Sequence, residues 1–216
     1  IGRASAGGLG LVEVLREMLP DMGIDPSSLT FTIAGFGNVG RSTALALCRS
    51  GARLVGVLDR SGAVVNLRGF DPDDLIDHLD VHDSLDGFHG GECVSPADFW
   101  KLPCDVLVPA ALEQMVTSEV AEIVGARAVA EMGSAPVTPD ADSIFLQRGI
   151  EVLPGILCNG GGVAVSYFEW LQNRSAISWT ATQVRETLAE TMIAASRRVK
   201  LARHRYECDL RTAASC

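Results

Sequence analysis

A glycine-rich turn between a strand pattern and a helix pattern constrains the fold of this chain most. Residues 29–36 form a short apolar run typical of a strand, and residues 39–50 are rich in Ala and Leu and stop at Gly51, as a helix does. The turn that joins them reads Gly35-Phe36-Gly37-Asn38-Val39-Gly40, the pattern G-x-G-x-x-G. Its first glycine permits a tight turn, the second lets a pyrophosphate approach the backbone, and the third lets the helix pack on the strand. We therefore predict that this turn binds a dinucleotide.

An acidic residue follows the turn at a suitable distance for the same ligand. Asp59 closes the next predicted strand, 52–59, and its carboxylate can accept hydrogen bonds from the hydroxyls of an adenosine ribose. The charge of Asp59 favours NAD because it repels a 2′-phosphate, whereas the adjacent Arg60 could bind that phosphate and would permit NADP. The alternative interpretation is a plain βα turn followed by a solvated aspartate.

Strand and helix patterns alternate along the chain as far as residue 155. This alternation predicts parallel strands joined by right-handed crossovers, with helices on both faces of the sheet. The predicted strands are nearly continuous apolar runs, as expected for strands buried on both faces. The expected fold is therefore α/β, a Rossmann-type doubly wound and mostly parallel sheet with a helical C-terminal tail. The other strands are predicted at 104–111, 126–132 and 150–155, and the other helices at 9–19, from Pro72, near 117–124 and at 139–148.

From Gly161 onward the pattern contains helices only. Helices are predicted at 163–173 and 181–206, and Thr180 with Gln183 forms a capping box at the start of the second.

Two structural units are accordingly expected. Residues 1–160 form the dinucleotide domain, and residues 161–216 form helices that pack on it and toward a further domain. Basic residues crowd the end of the last long helix, where the helix dipole favours positive charge. We interpret them as a solvated face in preference to a nucleic-acid patch. These residues are Arg197, Arg198, Lys200, Arg203 and Arg205.

Charge, hydropathy and cysteine spacing exclude several classes of partner. A net charge of -9 and a pI of about 4.9 disfavour nucleic acid and anionic membrane surfaces. No apolar run approaches the roughly 18 residues needed to span a bilayer. The six cysteines include no C-x-x-C pair, so we expect free thiols and a cytoplasmic location. His78 and His82 have helical i, i+4 spacing, but without a third ligand they predict a solvated acidic helix and no metal site.

Six stretches of the chain form a recognisable set: GRASAGGLG (2–10), IAGFGNVG (33–40), LVPAALEQ (107–114), PVTPDAD (136–142), LCNGGGVAVSYFEWLQN (157–173) and DLRTAA (209–214). The run V-x-V-S-Y-F-E-W at 163–170 is hard to obtain by chance. Together these stretches resemble the cofactor domain of the glutamate dehydrogenase branch of the Glu/Leu/Phe/Val dehydrogenases, and the resemblance covers essentially the whole chain. It implies an NAD(P)-dependent oxidoreductase that converts L-glutamate to 2-oxoglutarate and ammonia by oxidative deamination.

The resemblance also implies roles for single residues. Arg3 corresponds to an arginine near the glutamate site, where a guanidinium suits a carboxylate. Asn159 corresponds to an asparagine beside the nicotinamide, whose amide can both donate and accept hydrogen bonds. Ser166 corresponds to a serine that holds the side-chain carboxylate of glutamate, and branches acting on apolar amino acids have an apolar residue there. The alternative for Ser166 is a helix serine turned to solvent.

Four positions depart from the family pattern. Gly7 stands where the family usually has a threonine whose hydroxyl reaches the nicotinamide, so one cofactor contact is missing. Ser134 replaces an asparagine that lines the cofactor cleft, and we keep it as a candidate cofactor-binding residue. Gln114 replaces an asparagine, and Gly155 replaces an aspartate. Together these changes bear on how the nicotinamide is held.

The resemblance places the catalytic lysine and aspartate in a separate N-terminal domain, so no catalytic residue is assigned here. Neither of the two lysines, Lys101 and Lys200, lies in a glycine-rich setting. The chain begins at Ile1 without an initiator Met or a signal peptide. We therefore expect a catalytic domain to precede it in a longer protein that forms a homo-oligomer. The alternative is a stand-alone or decayed nucleotide-binding domain without catalysis, and the coding sequence upstream of Ile1 would distinguish the two.

Overall fold

The computed structural model describes residues 3–176 and 178–216, with the backbone alone for residues 3 and 4. The strands are β1 Thr30–Ala34, β2 Arg53–Asp59, β3 Gly62–Val65, β4 Glu92–Val94, β5 Cys104–Pro109, β6 Ala126–Ala130 and β7 Glu151–Leu153. The helices are α1 Arg3–Met18, α2 Asn38–Arg49, α3 Pro72–His82, α4 Pro96–Lys101, α5 Ser118–Ile123, α6 Pro139–Gln147, α7 Gly155–Cys158, α8 Gly160–Ser175, α9 Ala181–Tyr206 and α10 Leu210–Ala213. A 3-10 turn, Leu19–Met22, follows α1.

The strands form one sheet in the order β4-β3-β2-β1-β5-β6-β7. Strands β2, β1, β5, β6 and β7 are parallel, and β3 and β4 extend the sheet through antiparallel pairs. In the centre, Ile33 of β1 pairs with Val57 of β2 on one side and with Val108 of β5 on the other. The chain winds outward from β1 in one direction and from β5 in the other. The predicted α/β, doubly wound and mostly parallel sheet is therefore confirmed.

Alternate residues of the central strands supply two hydrophobic layers, one on each face of the sheet. Ile33 and Val108 belong to the layer that α1, α2, α8 and α9 cover. Leu107 belongs to the opposite layer, which α4, α5 and α6 cover and in which Phe145 of α6 is fully buried. Because both faces are covered, the central strands have hardly any room for polar side chains.

The sequence does not predict β3 and β4, which extend the sheet beyond β2. They have four and three residues, too few to display the period of two that identifies a strand. Glu92 and Cys93 of β4 are exposed, and a short polar edge strand discourages pairing with the edge of another sheet.

Helix α1 begins six residues earlier than the predicted start at residue 9. Its first half is rich in glycine, which weakens a helix in isolation by about 1 kcal/mol per residue. In the fold these glycines allow close packing. A Cβ on Gly8 would lie 2.7 Å from the Ser42 carbonyl oxygen of α2, and a Cβ on Gly10 would lie 2.9 Å from Gly161 Cα of α8. Tertiary contacts therefore stabilise a helix start that local propensity does not predict.

Two predicted helix caps are present. In the capping box of α9, Thr180 Oγ1 accepts from the Gln183 N–H at 3.2 Å, and Gln183 Oε1 accepts from the Thr180 N–H at 2.8 Å. At the start of α3, with Pro72 as its first residue, Asp71 accepts from the Asp73 N–H at 3.0 Å. Both helices begin where the sequence predicts them, because each cap is formed by residues three positions apart or fewer.

The basic end of α9 is less solvated than the sequence predicts. Three of the five basic side chains bind acids on neighbouring elements, and these pairs hold α9 against α1, the turn after α1 and β7. The pairs are Arg197 with Glu17, Lys200 with Asp21 and Arg203 with Glu151. Within residues 3–176 and 178–216, none of the helices combines the length and apolar character that crossing a membrane requires.

Candidate dinucleotide site

The strand order reverses between β1 and β5, and this reversal creates a crevice at the carboxyl ends of the two strands. Helix α2, after β1, packs on one face of the sheet, and α5, after β5, packs on the other. The two connections therefore diverge, and ligands of open α/β sheets bind in such a gap. The Ala110 N–H donates to the Ala34 carbonyl at 2.7 Å and holds the two strand ends together beneath it.

The glycine turn forms the first wall of this crevice, and its three glycines have different surroundings. Gly35 has a positive φ of 98°, and a Cβ on it would overlap the Cβ of Ala111. A Cβ on Gly40 would overlap the carbonyl oxygen of Gly35. A Cβ on Gly37 would meet no atom within 4 Å. The first and third glycines are thus required by packing, whereas the second leaves open space for a ligand.

The start of α2 presents backbone N–H groups to this open space. Gly37 is the N-cap residue, and no side chain among the described residues caps the helix there. Gly37, Asn38 and Val39 are exposed, whereas Phe36 is buried, so Phe36 can contribute its backbone alone. Uncapped N–H groups together with the helix dipole favour an anion such as a pyrophosphate at this position.

Asp59 lies at the end of β2 beside the glycine turn, because the Gly35 N–H donates to the carbonyl of the adjacent Leu58 at 2.7 Å. Asp59 Oδ1 accepts from the Arg60 N–H at 2.8 Å. The Arg60 side chain pairs with Asp83, and both side chains are largely exposed, so this pair is weak and a phosphate could displace it. The arrangement accommodates a ribose at Asp59 and permits a 2′-phosphate at Arg60.

A second wall continues from the glycine turn through Ala111. A Cβ on Gly133 would lie 3.0 Å from the Ala111 carbonyl oxygen. Asn159 extends the wall, since its Nδ2 donates to the Gly133 carbonyl at 3.2 Å. Ser134, directly after Gly133, is exposed. The fold therefore brings the glycine turn, Ser134 and Asn159 into one row, although they are far apart in the sequence.

Behind this row lies an ion cluster that sequence analysis missed. The Glu131 carboxylate accepts from both terminal nitrogens of Arg211, at 3.1 and 3.0 Å, and from the Gly155 N–H at 2.8 Å. Arg211 also donates to both carboxylate oxygens of Asp142 at 3.1 Å. A carboxylate at the end of the apolar run 126–132 is the signal that could have revealed Glu131, because a buried charge needs a partner. Nothing in the sequence identifies residue 211 as that partner.

Ser166 lies on α8, seven residues after Asn159 and therefore about 10 Å farther along the helix axis. Its half-buried hydroxyl donates to the Gly162 carbonyl at 2.9 Å. It can still accept a hydrogen bond, whereas donation to a carboxylate requires the hydroxyl to rotate away from Gly162. The side chain of Arg3 lies outside the described residues. The substrate contacts of both residues remain predictions.

The four departures from the family pattern lie together at the Asn159 end of the row. A Cβ on Gly7 would lie 3.6 Å from Met132 Cε, and a Cβ on Gly155 would lie 3.3 Å from Asn159 Nδ2. The Gln114 N–H donates at 3.0 Å to the carbonyl of the residue after Ser134. The glycine turn, at the other end of the row, keeps the full pattern.

The remaining candidate groups lie away from the row. The rings of His78 and His82 are 4.5 Å apart, and the described residues contain no group of three or more His, Cys, Asp or Glu side chains that could hold a metal ion. The six cysteines are free. Burial raises the pKa of the Cys104 thiol to about 11, and burial together with the negative charge of Glu131 raises the pKa of Cys158. Both thiols therefore stay protonated at neutral pH.

Comparison with known proteins identifies the family of the chain. The model of the family described as Glutamate/Leucine/Phenylalanine/Valine dehydrogenase matches residues 1–216. The glutamate dehydrogenase of Thermotoga maritima is 40% identical over 214 residues, which are 99% of this chain and 51% of that protein. The NAD-specific glutamate dehydrogenase of Clostridioides difficile is 36% identical, and the NADP-specific enzyme of Synechocystis is 37% identical, each over 99% of this chain and 52% of the relative.

Solved structures give the same result for the fold. The hetero-hexameric glutamate dehydrogenase from Thermus thermophilus, in its Leu bound form, matches with a TM-score of 0.91 and 30% identity, over 99% of this chain and 50% of that one. The chain thus spans about half the length of the relatives that it matches. A family model that matches all 216 residues, together with this sheet order and glycine turn, shows that the chain belongs to the Glu/Leu/Phe/Val dehydrogenase family.

Proposed function

We propose that this chain is the NAD(P)-binding half of a glutamate dehydrogenase, an enzyme that oxidatively deaminates L-glutamate to 2-oxoglutarate and ammonia. The observation that carries the proposal is the row from the glycine turn to Asn159. Its open end at Gly37 fits a pyrophosphate, because an added Cβ there meets no atom within 4 Å and the adjacent helix start is uncapped within the described residues. Its other end presents an amide that matches a carboxamide.

Each part of the row has one task in this proposal. The backbone of Gly37 and Asn38 binds the pyrophosphate, Asp59 accepts from the adenosine ribose, and Asn159 orients the nicotinamide carboxamide. The bound cofactor supplies the acceptor for a hydride from the α-carbon of the substrate. NAD is the preferred cofactor, because Asp59 repels a 2′-phosphate, and NADP is possible through Arg60. Both NAD-specific and NADP-specific enzymes occur among the relatives.

Two residues of this chain are assigned to the glutamate substrate. The Ser166 hydroxyl binds the side-chain carboxylate of glutamate after it rotates away from Gly162, and Arg3 supplies a guanidinium near the same site. No catalytic residue is assigned in this chain. This chain covers about half of the relatives' length, and we place the lysine and aspartate that the resemblance implies in the other half of the longer protein.

An exposed apolar stripe on α8 supports a partner domain on this side of the crevice. Val163, Tyr167 and Trp170 lie three and four residues apart and are each about half exposed or more. The rings of Tyr167 and Trp170 stack on each other, with their centroids 5.7 Å apart. Ser166 lies beside the stripe. In the longer protein we place the catalytic domain against this stripe. Residues 161–216 then lie between the catalytic domain and the dinucleotide domain, residues 1–160. The longer protein forms a homo-oligomer in this proposal.

The cysteines support a reducing compartment. None of the six is paired in the described structure, and Cys104 and Cys158 are buried as small apolar side chains. A cytoplasmic location is therefore part of the proposal.

Titration of the purified chain with NADH and NADPH tests the proposal directly. Saturable binding is expected, and Gly37→Ala should weaken it by about tenfold or more, because the methyl group stands in the path of the pyrophosphate. Gln147→Ala is the control, since Gln147 is exposed at the end of α6, before β7 and away from the crevice. Absence of saturable binding, or equal losses in the two variants, contradicts the proposal.

A second candidate function is nucleotide binding without catalysis. It is favoured by the clustering of all four departures at the Asn159 end, while the glycine turn keeps the full pattern. Under this alternative the nicotinamide adds nothing to the binding affinity, so ADP-ribose binds as tightly as NADH. A dehydrogenase domain instead binds NADH more tightly than ADP-ribose, and its longer protein contains a lysine in a glycine-rich motif. Measuring both affinities on one preparation separates the two functions.

A further inference from the structure

Glu131 is the one charged side chain that is buried in the described part of the chain, with 2% of its side chain exposed. A carboxylate out of water is stable only when donors replace its hydration. Glu131 has three such donors: two N–H groups of Arg211 and the backbone N–H of Gly155. The bidentate geometry with Arg211 is the strongest form of this pairing.

Arg211 reaches Glu131 from the C-terminal end of the chain. It lies on α10, whose start is capped by Asp209, which accepts from the Thr212 N–H at 2.8 Å. Burial alone would lower the pKa of Arg211, but hydrogen bonds to Asp142 and Glu131 outweigh it and raise the pKa. The guanidinium is therefore a permanent cation fixed between two acids on separate elements.

Glu131 is connected to Asn159 by two routes. It directly precedes the loop that contains Gly133, whose carbonyl accepts from Asn159 Nδ2 at 3.2 Å. It also holds the Gly155 N–H, and the Gly155 carbonyl accepts from the Asn159 N–H at 2.8 Å. The position of Asn159 and the position of its partner Gly133 thus both depend on one buried carboxylate.

We infer that Arg211 is a positioning residue for the nicotinamide end of the crevice. Its ion pair with Glu131 holds Gly155, and through Gly155 holds Asn159, so the C-terminal segment of the chain controls the geometry of a site that it does not touch. The inference rests on the proposed function, because it assigns the nicotinamide to Asn159.

Amide hydrogen exchange tests the coupling without any ligand. In Arg211→Gln, exchange should accelerate at residues 155–160 and 131–135, by about tenfold, and stay unchanged in the glycine turn. Arg211→Lys keeps the charge but not the two parallel bonds, so an intermediate effect is expected. Arg203→Gln is the matched control, since Arg203 also joins the C-terminal segment to the sheet, through Glu151, without contacting Glu131.

Ligand binding tests the consequence. Arg211→Gln should weaken NADH binding by about tenfold and change ADP-ribose binding by less than about twofold, because ADP-ribose lacks the nicotinamide that Asn159 orients. Arg203→Gln should leave both affinities unchanged. A general loss of structure would lower both affinities together, so the ratio separates positioning from stability.

The outcomes are distinct. Normal exchange at 155–160 in Arg211→Gln, exchange that rises uniformly over the chain, or equal losses for NADH and ADP-ribose would each overturn the inference. Wild-type protein that binds neither ligand contradicts the proposed function instead, and the exchange measurement then decides the positioning role by itself.

Discussion

The two walls of the crevice are built in opposite ways. The first wall, residues 35–40, is one continuous turn in which Gly40 packs against the Gly35 carbonyl oxygen, and Gly35 also packs against Ala111 of the second wall. The second wall joins Gly133, Asn159 and, behind them, Glu131 and Arg211, through contacts between residues 24 to 80 positions apart. The first wall keeps the family pattern, and the departures lie in the second. The shape of the first wall therefore comes mainly from neighbouring residues, whereas the shape of the second wall depends on long-range packing.

Gly40→Ala should have the largest effect on stability among these tests. Its Cβ would overlap the Gly35 carbonyl oxygen, and two backbone segments would have to move, at a cost of about 3 kcal/mol. Urea unfolding measures the loss. Gly37→Ala, in the same turn but with open space, is the control and should cost less than about 1 kcal/mol. Similar losses in both variants would show that packing does not distinguish the two glycines.

A long-range contact at the amino ends of the two central strands, away from the crevice, should have the next largest effect. Asp105 accepts from the N–H and hydroxyl of Thr30, at 2.8 and 2.9 Å, and from Arg127 at 3.1 Å. Desolvation raises the pKa of Asp105, but these hydrogen bonds outweigh it and lower the pKa overall. Asp105→Asn should cost about 1.5 kcal/mol at pH 7, discounted because the side chain is partly exposed.

The sign of the pH dependence follows from that lowered pKa. The stabilisation by Asp105 is fully present above the unfolded pKa, about 4, and is lost as pH falls through the lower folded value. Unfolding measured at pH 7 and below pH 4 should therefore show wild type and Asp105→Asn converging in acid. Asp25, whose pKa is lowered by its neighbours Ser27 and Ser28, is the local counterpart, and its substitution by Asn should have the smaller effect at pH 7.

A purely local contact should have a smaller effect. Thr180→Ala removes the hydroxyl that caps α9 and should destabilise the chain by about 1 kcal/mol. Thr180→Ser keeps the cap and should restore most of the stability. Thermal unfolding of the two variants measures the difference, and equal stabilities would show that the cap contributes nothing to α9.

Gly7→Thr should have the smallest effect on stability, and it tests whether the second wall can gain a contact to the nicotinamide. The space at Gly7 admits a Cβ, which would lie 3.6 Å from Met132 Cε, so stability should change by less than about 0.5 kcal/mol. If the hydroxyl reaches the nicotinamide, NADH affinity should rise by about fivefold, the equivalent of one hydrogen bond, and ADP-ribose affinity should not change. Valine has the shape of threonine without the hydroxyl, so an equal gain in NADH affinity in Gly7→Val would exclude the hydrogen bond as the cause.

The glycine turn shows how much of the site is local information. Its glycines, the strand before it and the helix after it were all predicted, because a turn, a cap and a period of apolar residues are properties of neighbouring residues. The same reason explains the correct bounds of α9 and its capping box. Strands β3 and β4 were missed because three or four residues show no period, and the early start of α1 was missed because Gly8 and Gly10 disfavour a helix until α2 and α8 pack against them.

The sequence by itself determined the α/β fold, the glycine turn between a strand and a helix, and the place of Asp59 at the end of a strand, since each depends on residues adjacent along the chain or one strand away. Only the tertiary structure decided that Ser134 and Asn159 belong to one row, that the four departures cluster, and that Glu131 is paired with Arg211. The sequence indicates that a buried carboxylate requires a cationic partner, but it does not indicate which distant cation forms the pair. The choice is made when helices and strands pack, because packing brings together donors and acceptors whose separation along the chain carries no information.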